Sequence, residues 1–198
     1  SRKVFNLKLW GPSTTGAKRR VHSAGMMGTL RSAHNKAVKN NNHELVFCNS
    51  LSDVFEEFQG DITDDKGNVQ WVKPGFQRLE WSSEPGERKL TLDDLRLHML
   101  TTICTMPMFT WLVLTKRPDN IGPMLFRVLD QCEAQARKII MGYWMSNVII
   151  GTTVENQDYI HRVADVQSAP GSRRFLSLEP LLGPITLGNY YVPPIDWV

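Results

Sequence analysis

Four short stretches of this chain carry charged and hydrogen-bonding side chains at the density expected of a ligand site. They are Asn49–Asp53, Thr115–Pro118, Thr153–Asn156 and Ser177–Pro180. Lys116 and Arg117 offer positive charge suited to a carboxylate or a phosphate. Glu155 and Glu179 offer acceptors for sugar hydroxyls or an amine, or acid–base groups, and Asp53 adds a third carboxylate. Asn49, Ser50, Thr115, Thr153 and Ser177 supply neutral hydrogen bonds. A plainer reading stands beside each: Asp53, Asn120 and Asn156 are common helix-start residues, and acids and bases in one mouth can simply pair. No single residue stands out as catalytic.

Other chemistry is sparse. Of the three cysteines, Cys48 is the one next to these stretches, and its apolar strand context reads as a buried thiol. Cys48, Cys104 and Cys132 are odd in number and widely spaced, as in a reducing compartment, and no CxxC spacing marks a zinc or iron–sulfur site. His34 falls on the apolar face of a helix, where a core histidine is expected. His98 and His161 lie in helices away from strand ends, and His22 and His43 in loops. No glycine-rich phosphate loop of Walker or Rossmann spacing occurs. A net charge of +3 permits a nucleic-acid or phosphate partner without arguing for one, and Lys18-Arg19-Arg20 reads as a solvated loop. No apolar run approaches the ~20 residues of a membrane span. The opening Ser-Arg-Lys-Val-Phe-Asn-Leu lacks the apolar core of a signal peptide, so a cytoplasmic location is expected.

The elements that must position these groups follow from periodicity. Leu45–Cys48, Trp111–Leu114, Val148–Gly151 and Arg174–Ser177 read as short, nearly continuous apolar strands of a parallel sheet covered on both faces. A fifth is expected to begin at Asp196–Val198. Helices are expected between them. Met27, Leu30, His34 and Ala37 mark the first. Thr91 caps the second, with Asp94 three residues on, and Leu92, Leu95, Met99, Ile103 and Met106 form its face up to Pro107. Ile121, Met124, Leu125, Val128, Leu129 and Cys132 mark another, and Tyr159, Ile160, Val163 and Val166 the last. Strand–helix–strand alternation implies right-handed crossovers and an α/β fold. Polar groups clustered at one end of the strands favour a partial parallel β/α barrel, TIM-like, over a doubly wound sheet. One domain, residues 1–198, is expected, incomplete at both ends. Residues 58–89 read as an irregular insertion, with Trp71, Phe76 and Trp81 either covering a ligand or tethering the loop.

At these residues the sequence resembles the phage and prophage proteins described as three-cysteine-motif, radical-SAM-like proteins of unknown function. The matching stretches are Leu9–Pro12, Val46–Glu56, Trp111–Pro118, Val148–Gln157, Arg174–Pro184 and Ile195–Val198. The resemblance implies a radical-SAM-like partial barrel and a 4Fe–4S cluster held by three closely spaced cysteines. The cluster's open iron would hold S-adenosylmethionine and cleave it to a 5′-deoxyadenosyl radical. The ten residues Asn49, Ser50, Asp53, Thr115, Lys116, Arg117, Thr153, Glu155, Ser177 and Glu179 would then cradle the cofactor. Lys116 or Arg117 would meet the methionine carboxylate, and Glu155 or Glu179 the ribose hydroxyls or methionine amine. The cysteine segment is expected ahead of Trp10 and a Gly-Gly-Glu strand after Val198. Neither lies in this chain, so no metal ligand is assigned to it.

The leading expectation is a radical-SAM-type phage enzyme in the host cytoplasm, acting on a nucleobase or nucleic acid. A cluster-free barrel binding a host or phage protein is the alternative. A third is a carboxylate-metal hydrolase using Asp53, Glu155 and Glu179.

Overall fold

The computed structural model describes residues 19–20, 24–48, 53–73, 80–188 and 195–198. The elements in chain order are β1 (Arg19–Arg20), α1 (Ala24–Asn40), β2 (Glu44–Cys48), β3 (Ile62–Thr63), β4 (Trp71–Val72), β5 (Trp81–Ser82) and β6 (Arg88–Lys89). They continue with α2 (Leu92–Thr105), β7 (Phe109–Thr115), α3 (Ile121–Leu129), α4 (Ala134–Asn147), β8 (Val148–Thr153), α5 (His161–Ser168) and β9 (Arg173–Ser177). The chain divides into two compact units, Ser1–Ser32 with Glu57–His98, and Ala33–Glu56 with Met99–Val198. No helix among the described residues is long and apolar enough to cross a membrane.

The second unit is an α/β structure. Its four expected strands form one parallel sheet in the order β2-β7-β8-β9. Side chains alternate across it. Trp111, Val113, Ile150 and Leu176 point to one face and are buried. The other face carries Phe47, Leu112, Leu114, Gly151 and Phe175, as the register dictates. Three strand spacings separate β2 from β9, about 14 Å in a flat sheet. The rings of Phe47 and Phe175 lie 6.4 Å apart, because the Phe175 ring leans across β8 toward β2. Gly151 leaves room for that ring, because a Cβ there would collide with it. No closed barrel is formed among the described residues. The fifth strand expected at Asp196–Val198 is a single parallel bridge from Trp197 to Phe175. Leu176 N donates to Trp197 O at 2.9 Å there, and Asp196 N to Arg174 O at 2.9 Å.

The helices of this unit follow their apolar spacing. Ile121, Met124, Leu125, Val128 and Leu129 are all buried on α3, whereas Cys132 falls beyond its end. On α5 the buried pair is Val163 and Val166. His34, half-buried, accepts a hydrogen bond from Met108 N at 3.4 Å and stands edge-on to Phe109. Helix α4 has no counterpart in the sequence reading. It buries only Ile140 and Trp144 and leaves Ile139 47% exposed, too narrow a stripe to announce itself by periodicity. Trp144 Nε1 ties α4 down by donating to Pro170 O at 2.7 Å.

The first unit is built from two-residue strands. β1 and β3 pair in parallel, so Arg19–Arg20, read from sequence as loop, has strand backbone. β5-β4-β6 form a small antiparallel sheet inside the segment read as an irregular insertion. Strands this short carry no periodicity, which is why the sequence does not reveal them. Trp81 lies edge-on to His98 at 5.0 Å, the tethering role, while Phe76 lies outside the described residues. Thr91 and Asp94 form the expected capping box of α2. Asp94 Oδ2 accepts from Thr91 N at 2.9 Å, and Asp94 N donates to Thr91 Oγ1 at 3.3 Å. Arg88 grips the same carboxylate with both terminal nitrogens, at 2.6 and 2.7 Å.

Candidate functional site

The ends of β2, β7, β8 and β9 lie at the carboxyl edge of the parallel sheet, where α/β folds commonly bind ligands. Parallel pairing in register forces this: Thr115 pairs with Thr152, and Thr153 with Ser177. Of the ten residues singled out by sequence, Asn49 and Ser50 lie outside the described residues. The other eight fall into two bonded groups and two separate residues.

The first group centres on Asp53. Its Oδ1 accepts from Thr115 Oγ1 at 2.7 Å and from Phe55 N at 3.0 Å. Its Oδ2 accepts from Lys116 N at 3.1 Å and from Arg117 Nη1 at 2.8 Å. Both oxygens are thus engaged twice, and Asp53 pins the segment after β2 to the end of β7. Thr115 follows Trp111 and Val113 onto the covered face. Its hydroxyl accepts from Arg117 N at 2.9 Å, and its carbonyl from Thr152 Oγ1 at 2.9 Å.

The second group centres on Glu155, just beyond β8 and buried. Its Oε1 takes the ammonium of Lys116. Its Oε2 accepts from Arg162 Nη1 at 2.9 Å, and the same nitrogen donates to Thr153 O at 2.9 Å. The Arg162 guanidinium also lies 4.2 Å from the centroid of the Tyr159 ring. Burial pushes the Glu155 carboxyl up, but the hydrogen bond and charge of Lys116, with the charge of Arg162, outweigh it and hold it below the ordinary carboxylate value. Glu155 is therefore an ionised acceptor at neutral pH rather than a proton donor.

Ser177 and Glu179 are bonded to neither group. Ser177 contributes its carbonyl, accepting from Val154 N at 2.9 Å. Glu179 is exposed and precedes Pro180 through a cis peptide bond. The chain then passes Glu155, whose carbonyl accepts from Leu182 N at 2.7 Å, and leaves Leu181 and Leu182 exposed. Of the plainer readings, Asn156 does cap: its side chain accepts from Asp158 N at 2.9 Å. Asn120 instead donates to Phe55 O at 2.9 Å. Cys48 is a half-buried thiol whose pKa burial pushes up to about 11, which makes it inert at neutral pH.

Arg162 is the member of the cluster that the strand ends do not reveal, because it lies on a helix. A signal was present: it follows Tyr159 by three residues, the spacing at which a cation reaches an aromatic on the same helical face.

These features define an α/β protein with a cation-rich polar cluster at the carboxyl edge of a four-stranded parallel sheet. Residues 88–198, more than half of the chain, match the family model described as a protein of unknown function, DUF5131, and the chain belongs to that family. The match covers Lys116, Glu155 and Arg162 but not Asp53. No curated protein and no solved structure matches the chain.

Proposed function

We propose that this chain is the cofactor-cradling part of a radical-SAM-like enzyme built on a partial, TIM-like β/α barrel. The observation that carries the reading is the order of the sheet. β2, β7, β8 and β9 are added one beside the next in chain order, and Trp197 continues the series. A barrel grows in one direction in this way, whereas a doubly wound sheet reverses at a switch point. The ligand would lie at the carboxyl edge of the sheet.

The chain's own residues suit the methionine end of S-adenosylmethionine. Lys116 or Arg117 is the cation for a carboxylate, each now paired inside the cluster, with Glu155 and Asp53 respectively. Glu155 or Glu179 accepts from an amine or from ribose hydroxyls. When bound, a reduced 4Fe–4S cluster would supply the electron that cleaves the sulfonium. The residues described here do not fit that cluster: no group of three His, Cys, Asp or Glu able to hold a metal ion occurs among them. Cysteine ligands would have to come from other polypeptide, and no step through the cluster is assigned to this chain. The substrate class proposed is a nucleobase or nucleic acid.

Anaerobic reconstitution of the full-length gene product with iron and sulfide tests the reading. A cluster absorbance that bleaches on reduction, and 5′-deoxyadenosine released from S-adenosylmethionine, are expected. A reconstituted protein that forms neither overturns it. A second reading, a binding module for a host or phage protein, is favoured by the exposed side chains Leu45, Phe47, Leu181 and Leu182. It predicts a stable protein complex and no cluster.

A further inference from the structure

Two cations share one buried carboxylate at this site, and they are built differently. The Arg162 side chain is 13% exposed, and the Glu155 side chain 8%. Arg162 is fixed by Thr153 O, by Glu155 and by the Tyr159 ring. The Lys116 side chain is 54% exposed and reaches Glu155 from a flexible stem. A buried carboxylate left without any counter-ion is strongly unfavourable. Arg162 removes that obstacle to the departure of Lys116.

We propose that Arg162 is a positioning residue that keeps Glu155 paired and oriented, and so makes Lys116 the exchangeable cation of the site, able to move to an anionic group of a ligand, a carboxylate or a phosphate. The inference rests on the reading that the strand-end cluster receives a ligand, and not on radical chemistry. Arginine suits the fixed role because its planar fork is always charged, and lysine the mobile one because its charge is compact and its stem flexible.

Reductive dimethylation with carbon-13 labels lysine amines without removing their charge, and Lys116→Arg assigns the Lys116 signal. In the wild-type chain, that signal is expected to shift saturably on adding sodium phosphate or sodium acetate, and the more effective anion identifies the ligand group. In Arg162→Met, Glu155 has lost its second cation, so Lys116 stays bound and its apparent affinity for the anion falls at least about tenfold. Arg162→Lys, which keeps a cation there, restores most of the response and serves if the methionine variant misfolds. An unresponsive wild-type Lys116, or an Arg162→Met response equal to wild type, overturns the proposal. S-adenosylhomocysteine is a separate probe. If it leaves Lys116 unmoved while phosphate shifts it, the S-adenosylmethionine reading fails and the exchange mechanism stands.

Discussion

Glu155 concentrates the electrostatics of the candidate site in one side chain. It is buried, ionised and held by two cations of unequal freedom. Replacing it with Gln leaves Arg162 with Thr153 O and Tyr159 but no counter-charge, at a cost of about 2 kcal/mol. The folded carboxyl lies below its unfolded value, so its stabilisation is present above the ordinary carboxylate range and is lost as pH falls through the folded value. Urea unfolding should therefore separate wild type from Glu155→Gln at pH 7, and the difference should shrink as pH falls below the ordinary carboxylate range. Cys48 makes an opposite statement about reactivity. With its thiol pushed up to about 11, iodoacetamide should label it at least about tenfold more slowly in the folded chain than in the urea-unfolded chain at pH 8. Equal rates would remove the ground for calling it inert.

At the scale of elements, two local devices shape the structure. The capping box of α2 joins Thr91, Asp94 and Arg88 at one helix end, so Asp94→Ala removes a cap and an ion pair together. A loss of about 2 kcal/mol is expected, against about 1 for Thr91→Ala, read from urea midpoints. The second device is the absence of a side chain at Gly151. A methyl group there meets the Phe175 ring, which lies across β8. Gly151→Ala should destabilise the chain by about 1–3 kcal/mol. Because both residues share one space, Gly151→Ala with Phe175→Ala should cost less than the sum of the two. Strict additivity would mean that the ring does not pack against β8. The strands and the capping box were readable because each carries its signal within a few residues. Helix α4 and the two-residue strands were not, because their apolar stripe is too narrow or their length too short to generate a period.

At the scale of the whole molecule, each unit holds one buried carboxylate kept below its ordinary range. In Asp94, burial raises the carboxyl, but hydrogen bonds from Arg88 and Thr91 outweigh it. In Glu155, Lys116 and Arg162 do the same. Both contributions hold above the unfolded carboxylate range and fade below it, so acid should lower the thermal midpoint steadily beneath about pH 4. The double variant Asp94→Asn with Glu155→Gln should flatten that acid slope. An unchanged slope would place the responsible groups elsewhere.

The sequence by itself determined that four apolar runs become parallel strands, that polar residues crowd their carboxyl ends, and that Thr91 starts a helix. These depend on periods and caps, which are local. Only the tertiary structure brought the Phe175 ring over Gly151, because the two stand more than twenty residues apart. It likewise separated the strand-end residues into a saturated Asp53 pin and a Glu155 cluster. It also brought in Arg162, since a helix that packs back on its own strand returns side chains to places that linear spacing does not show.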